Sequence, residues 1–584
     1  MALRGQVQDS QATYEDPIFG VNLRDSEEDL VAGESSNMKN MVHFGGTVSR
    51  QGSNALNATA LGSGDNILGG HKFYYAGSSG ERLVVYDKDV SVLSDAGSET
   101  NIWSKWSLEN IATFYTWSIT ESVYLSSYDA LDSNETLRYD GTSIGPLGFT
   151  DLTDGTTYKW TQSLGSSDEY YCELFAGGDP GLSSPASTGG VYINGSSATA
   201  GAVGSLGSNQ WAYGNHASDG LGYNTIYVEL SDTSDPDTKG TSYVLHMNQT
   251  NAPGQGSVSS SRQILGFSDR LFAITSNGIE RTNAQSDSVW SNDSSWATYR
   301  PFETGQFRAM IRHTAQGTDA TPLEGVIAVS ESDYYFFSGT SFGDDVTHVS
   351  DTTGDNSVFR HIDRIGCLEP QHITSVPGIG VFWITNDKNI FYVPSGRLQG
   401  VRVGTRIINT GTTTTVGLES LDTGGTQNGW IIYKEPYLMV GFQQTGTSNG
   451  PNIQYWMDME KFRIDPSTPV WYGPMTGQTI NVVWLEQQQG DNEIYGGESN
   501  KSTGAFVYEL RKDSTYTDDV GTSTNNISCE YATYVKSGGA PSREKVVQQI
   551  DIEMNDTLTD VTADIADLNE TILTSVPVEK TYTS

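Results

Sequence analysis

Residues Gly378–Gly396 (GIGVFWITNDKNIFYVPSG) hold two short apolar runs, Val381–Thr385 and Ile390–Val393, around the polar turn Asn386-Asp387-Lys388-Asn389, with Pro394 and Gly396 as a stop. Asn and Asp tolerate the left-handed backbone that a tight turn needs, so the phrase predicts a β-hairpin. The same phrase returns at Gly325–Gly339 (GVIAVSESDYYFFSG), Gln263–Gly278, Lys72–Asp87 and Gly429–Phe442. A single hairpin buries too little surface to stand alone, so repeated hairpins must stack in a row or around an axis. The expected fold is all-β, a β-propeller.

The totals agree with many short strands and turns. Gly numbers 64 in 584 residues, and no long amphipathic helix stands out. No apolar run approaches the roughly 18 residues that cross a membrane, and the opening MALRGQVQDSQATYEDP lacks the apolar core of a signal peptide. Cys172, Cys367 and Cys529 are odd in number and far apart, which predicts buried thiols made in a reducing cytoplasm. Lys and Arg number 33 against 71 Asp and Glu, a formal net charge of −38. Phosphate neutralisation needs clustered cations, so such a chain is not built to grip nucleic acid. The acidity fits either a wall that DNA slides past or plain solubility.

Three stretches carry a family resemblance. The first opens with Phe19-Gly20-Val21-Asn22-Leu23-Arg24-Asp25-Ser26, continues through Asp29-Leu30 and Gly33-Glu34, and ends in Gly46-x-x-x-Arg50-x-Gly52. The second runs from Phe267 through Asp269-Arg270-Leu271-Phe272 to Trp290 and Trp296; the third holds Gly380, Trp383 and Asp387 within 366–396. In this order they resemble the tail nozzle proteins of short-tailed bacteriophages, also called tail tubular or packaged-DNA stabilisation proteins. The resemblance implies a propeller of six blades with extended terminal arms, and structural roles for Phe19, Gly20, Asn22, Arg24, Asp25, Asp269, Arg270, Trp290, Trp296, Gly380, Trp383 and Asp387.

The stretch 158–237 differs in texture. Tyr170-Tyr171-Cys172-Glu173-Leu174, the turn Gly178-Asp179-Pro180-Gly181, Val191-Tyr192-Ile193-Asn194-Gly195 and Leu221–Leu230 resemble a small β module found inside phage virion proteins. Between Gly155 and Lys239 nine Asp/Glu face two Lys/Arg. The expected organisation is an N-terminal arm over 1–45, the first part of the propeller over 46–153, a sandwich-like inserted β module over 154–240, the remaining blades over 241–540, and closing strands or an extension over 541–584. Within the last part, 527–535 and 546–552 read as a closing pair of strands, and 561–574 fits either a helix face or a strand.

Chemistry is sparse. Propellers can host glycosidases, which need paired carboxylates across one bond, but acids are so common here that no pair stands out. The sialidase-type box S-x-D-x-G-x-x-W is absent, since Ser286-Asp287-Ser288-Val289-Trp290 lacks its glycine. The histidines at 43, 71, 216, 246, 313, 348, 361 and 372 show no metal-binding spacing, and there is no phosphate-binding loop. Asp232, Asp235 and Asp237 form a weak candidate calcium loop, without the closing Glu of an EF-hand. No enzyme and no cofactor are expected. The resemblance implies a structural virion protein, made in the host cytoplasm: a homohexameric ring below the tail adaptor ring, near fibres, spikes or a needle or plug protein. Through it double-stranded DNA leaves without being tightly bound. The alternative is a glycan- or receptor-binding propeller of a tail fibre or adhesin.

Overall fold

The computed structural model describes most of residues 17–533, together with 562–566 and 572–577. Within 17–533 the longer segments outside the described residues are 105–110, 128–135, 152–158, 174–190, 220–224, 240–244, 249–260, 286–305, 317–321, 339–357, 409–415, 424–428 and 499–504. The chain divides into two units. One is Tyr14–Val535; of the other, the described part is a hairpin of Thr562–Ala566 with Ile572–Pro577. The stretch open to helix or strand is therefore strand. No helix is long and apolar enough among the described residues to cross a membrane.

All five phrases form hairpins. Gly380–Ile384 pairs with Ile390–Pro394, Pro322–Ser330 with Tyr334–Ser338, and Gln263–Phe267 with Arg270–Thr275. Ile67–Phe73 pairs with Glu81–Tyr86, and Gly429–Lys434 with Tyr437–Phe442. In the founding turn the left-handed residue is Lys388 (φ 63°), not an Asn or Asp. The Asx side chains hold the turn instead: Asp387 accepts the Thr385 hydroxyl, and Asn389 Oδ1 takes the amides of Ile390 (2.8 Å) and Gly404 (3.2 Å).

These hairpins lie in five of seven small, mainly antiparallel sheets. Blade 1 is Ile67–Phe73, Glu81–Tyr86, Asp89–Leu93 and Glu99–Ser104; blade 2 is Ala112–Trp117, Ser122–Ser127, Leu137–Tyr139 and Ile144–Pro146. Blade 3 has three described strands, Gln263–Phe267, Arg270–Thr275 and Gly278–Arg281. Blade 4 is Phe307–Gln316, Pro322–Ser330, Tyr334–Ser338 and Val358–His361; blade 5 is Ile373–Val376, Gly380–Ile384, Ile390–Pro394 and Val401–Arg402. Blade 6 is Gly429–Lys434, Tyr437–Phe442, Ile453–Asp458 and Trp471–Met475. Blade 7 begins with Ile480–Gln488, Asp491–Glu498 and Val507–Lys512, and its fourth strand is Gly52–Ala55 from the other end of the unit.

The first strand of each blade neighbours the first strand of the next, and blade 7 returns to blade 1. This is a closed propeller of seven blades, a correction to the six that the resemblance implied. The core confirms the count, since each seam has its own apolar layer. Phe382, Ile384 and Tyr392 of blade 5 pack on Leu438, Val440 and Tyr455 of blade 6, and Val482 and Tyr495 of blade 7 pack on Ile67 and Val84 of blade 1. Each blade is thus covered on both faces, which is why strands such as Gly380–Ile384, Tyr437–Phe442 and Ser122–Ser127 are buried throughout.

Closure rests on two buried ion pairs. Arg50, just before Gly52–Ala55, donates to both carboxylate oxygens of Asp518, with Nη1–Oδ1 at 3.0 Å. Across the seam of blades 7 and 1, Arg82 Nε and Nη2 bind Glu486 at 2.5 and 2.6 Å, with Tyr495 under the guanidinium. Gly70 on the first strand of blade 1 faces the Trp484 indole so closely that a Cβ would sit 2.5 Å from the ring.

The segment read as an arm is stitched down. Glu34–Lys39 pairs antiparallel with Glu530–Thr533; the 546–552 stretch expected to pair with 527–535 lies outside the described residues. Cys172 and Cys367 are buried, but Cys529 is exposed, because it lies in the surface crossing just before Glu530–Thr533. Between blades 2 and 3 stands an insertion of two sheets. One is Phe149–Asp151, Leu245–Asn248, Val191–Ile193 and Ser196–Ser197; the other is Thr161–Gln162, Tyr170–Glu173, Thr225–Glu229, Gln210–Tyr213 and Thr199–Ala200. They share one core, in which Val191 and Ile193 meet Cys172, Ile226 and Val228. The entering and leaving strands, Phe149–Asp151 and Leu245–Asn248, pair with each other, so the insertion hangs from one point.

Breaking the closure pair by Asp518→Asn leaves Arg50 buried without its counter-charge, which costs about 3–5 kcal/mol. Denaturant unfolding is expected to show the loss, whereas Asp387→Asn, whose partner Arg402 is exposed, changes stability by under ~1 kcal/mol.

His372 gives a pH signature. Its ring is fully buried, 4.0 Å from the Glu369 carboxylate, and burial lowers its pKa to about 4. The unfolded chain therefore takes up this proton first as pH falls, so stability drops between pH ~6.5 and about 4 and is flat above. The full effect is about 3 kcal/mol, and His372→Gln is expected to reduce the stability–pH slope in that window, leaving the share of buried His71.

Candidate functional site

The N-terminal motif residues form one connected cluster. Gly20-Val21 runs parallel to Glu34-Ser35. Gly20 has φ 72°, and a Cβ there would meet the Trp471 carbonyl at 2.1 Å, so only glycine lets the segment lie against blade 6. Phe19 is half exposed, and its carbonyl accepts from Arg406 Nη1 at 3.1 Å. Buried Asn22 donates to Asp25 (2.8 Å) and Glu34 (3.2 Å), and its own Oδ1 accepts the Arg24 and Asp25 amides. Arg406 closes the cluster on Glu34 at 3.1 Å. Arg24 forks onto Asp25 at 2.8 and 2.9 Å, and with Asn22 it holds that carboxyl at about 2. The side chains are spent on one another and on the backbone, which is construction rather than catalysis.

The remaining motif residues are scattered over the ring. Asp269 (φ 59°) follows Ser268 (φ 50°) in the hairpin turn of blade 3, and Arg270 donates to the Thr282 carbonyl at 3.0 Å. Gly380, at φ 149°, abuts the Val393 carbonyl, and Trp383 is fully buried against Tyr334 and Phe391. Asp387 accepts from Arg402 at 2.6 Å. Trp290 and Trp296 lie outside the described residues.

The calcium candidates serve the turns they sit in. Asp232 pairs with Lys239, which with Ser234 lowers its pKa to about 2. Asp235 caps the short turn Pro236–Thr238 by accepting the Asp237 amide at 3.0 Å, and Asp237 accepts the Trp160 amide at 3.0 Å. No group of three His, Cys, Asp or Glu side chains is placed to hold a metal ion among the described residues.

A concave site also emerges; it is lined in part by the motif residues Phe267 and Gly380, but no motif marked Arg312. The first two strands of blade 4 form a longer hairpin than their neighbours, Phe307–Gln316 with Pro322–Ser330. Beside it a cleft of about 750 Å³ opens between the turns Phe267-Ser268 of blade 3 and Val376-Pro377-Gly378 of blade 5. Arg312 lies in its wall, with Nε on the Gly266 carbonyl (2.6 Å) and Nη2 on the Tyr115 hydroxyl (2.5 Å). His313 Nε2 lies 2.7 Å from the Arg397 carbonyl and therefore donates to it; burial lowers the ring's pKa, so it stands neutral at pH 7. Nothing in the sequence around Arg312 distinguishes it, because Tyr115 comes from blade 2 and Gly266 from blade 3.

No family model matches the chain, and no curated protein matches it. Among solved structures it is similar to YCF48 bound to a D1 peptide, at 8% identity and a TM-score of 0.33 over 80% of this chain and 99% of that one. It is also similar to the AfRom2 CNH domain (8%, TM-score 0.33, 78% and 98%) and to phage phi92 endosialidase (9%, TM-score 0.28, 91% and 75%). Likenesses this distant carry no argument about function, and the architecture rests on the strand pairing and seams described above.

Gly20→Ala is expected to cost more than about 1 kcal/mol, since it adds both a left-handed strain and a clash with backbone. Arg24→Ala, at a largely exposed side chain, costs under ~1 kcal/mol. Thermal melting of the two variants separates a building motif from a surface charge pair.

Proposed function

We propose that the chain is a structural subunit of a bacteriophage tail, a nozzle protein that assembles as a six-membered ring and lets genomic DNA pass. The observation that carries this reading is the use made of the N-terminal motif. Phe19, Gly20, Asn22, Arg24 and Asp25, with Arg50 and Gly52 after them, fasten one chain end over blades 5 to 7 instead of framing a reactive centre. A subunit whose motif residues are spent on rigidity suits a wall that must bear load.

The net charge of −38 supports a passive channel. A basic lining would grip phosphates with an affinity that climbs steeply as salt falls, whereas an acidic or neutral wall lets each step along the duplex cost little. Class-averaged electron micrographs of the purified protein are expected to show six-fold rings, and the rings are expected not to retain duplex DNA at low salt. Trimers or monomers would overturn the ring and favour the receptor-binding alternative; tight, salt-sensitive DNA binding would overturn the passive channel.

A further inference from the structure

We propose that the cleft beside the blade 4 hairpin binds a saccharide bearing a carboxylate, with the Arg312 guanidinium as the partner of that carboxylate. This goes beyond assembly and holds whether or not the subunits close into a ring. The cleft's volume, about 750 Å³, lies in the range of roughly 300–1,000 Å³ usual for small-molecule sites.

Arg312 is pre-organised for the task. The Gly266 carbonyl fixes Nε and the Tyr115 hydroxyl fixes Nη2, so the plane of the guanidinium is set before any ligand arrives. Nη1 has no partner among the described residues, and the side chain stays exposed in the cleft wall. A planar fork held this way suits a carboxylate better than a mobile ammonium does.

The rest of the lining matches a sugar. Ser268, Ser375 and Ser395 are exposed and Thr314 half buried, and the hydroxyls of all four are without a protein partner among the described residues. Each can both donate and accept, as a ring of sugar hydroxyls requires. Phe267 and exposed Pro377 add flat apolar surface for the CH face of a pyranose. An extended peptide would instead need apolar side-chain pockets along a free strand edge, which turns and hydroxyls do not supply. Glu324, exposed on the rim, sets a limit on charge. Together with the acidic surface it disfavours polyanions and leaves room for a ligand with one carboxylate.

Isothermal titration of the full chain tests this with a trisaccharide ending in one glucuronic acid, the same trisaccharide ending in glucose, and the peptide Gly-Glu-Gly. The acidic sugar is expected to bind at least about tenfold more tightly than either control. Arg312→Lys, which keeps the charge but loses the fork, is expected to weaken it by roughly tenfold. Ser375→Trp, at an exposed position, is expected to block the cleft while the melting temperature stays unchanged. The proposal is overturned if the acidic sugar does not bind, if the neutral sugar or the peptide binds equally well, or if both variants bind like the parent.

Discussion

The structure depends on closing a ring whose two ends come from distant parts of the chain. Six seams form between blades that follow one another, but the seventh must join Val482 and Tyr495 to Ile67 and Val84. Apolar packing there is non-directional and would tolerate a slipped register. The Arg82–Glu486 pair would not, because a bidentate fork buried in a seam has one geometry, and a displaced partner leaves two desolvated charges unmatched. Arg50 and Asp518 do the same for the strand Gly52–Ala55, which completes blade 7 from the N-terminal side. Buried ion pairs add little net stability over apolar packing, and their value here is in specifying register.

The closed ring also explains how such an acidic chain stays folded. The cations are few, and several of them are placed inside or at the edge of the fold, where one guanidinium can satisfy several acceptors. Arg50 binds the Gln51 and Thr476 carbonyls as well as Asp518, and Arg406 binds both Glu34 and the Phe19 carbonyl. Many acids are left without cations, and where exposed they sit at high dielectric and are screened by salt. The insertion between blades 2 and 3 carries its own core and hangs from the paired strands Phe149–Asp151 and Leu245–Asn248.

The hairpins were legible because turn chemistry and β-branched or aromatic runs are local. Their place in a blade was not. The phrase at Gly378–Gly396 marks the second and third strands of blade 5, whereas those at Gln263–Gly278 and Gly429–Phe442 mark the first and second strands of blades 3 and 6. Counting phrases therefore cannot count blades, and blade 7 hides further because one strand lies more than 400 residues before the others. The site was less legible still. Asn22, Arg24 and Asp25 stand close in sequence and could be read as a motif, but Arg312 becomes a held guanidinium only through a hydroxyl 197 residues away.

By itself the sequence determined the all-β class and the hairpin units, because these follow from neighbouring residues and from composition. Only the tertiary structure decided that the blades number seven, that Gly52–Ala55 closes the last one, and that a hydroxyl-lined cleft opens beside blade 4. Each of these depends on contacts between residues far apart in the chain. Such contacts form only when the ring closes, and no local pattern of residues encodes where a distant strand will come to rest.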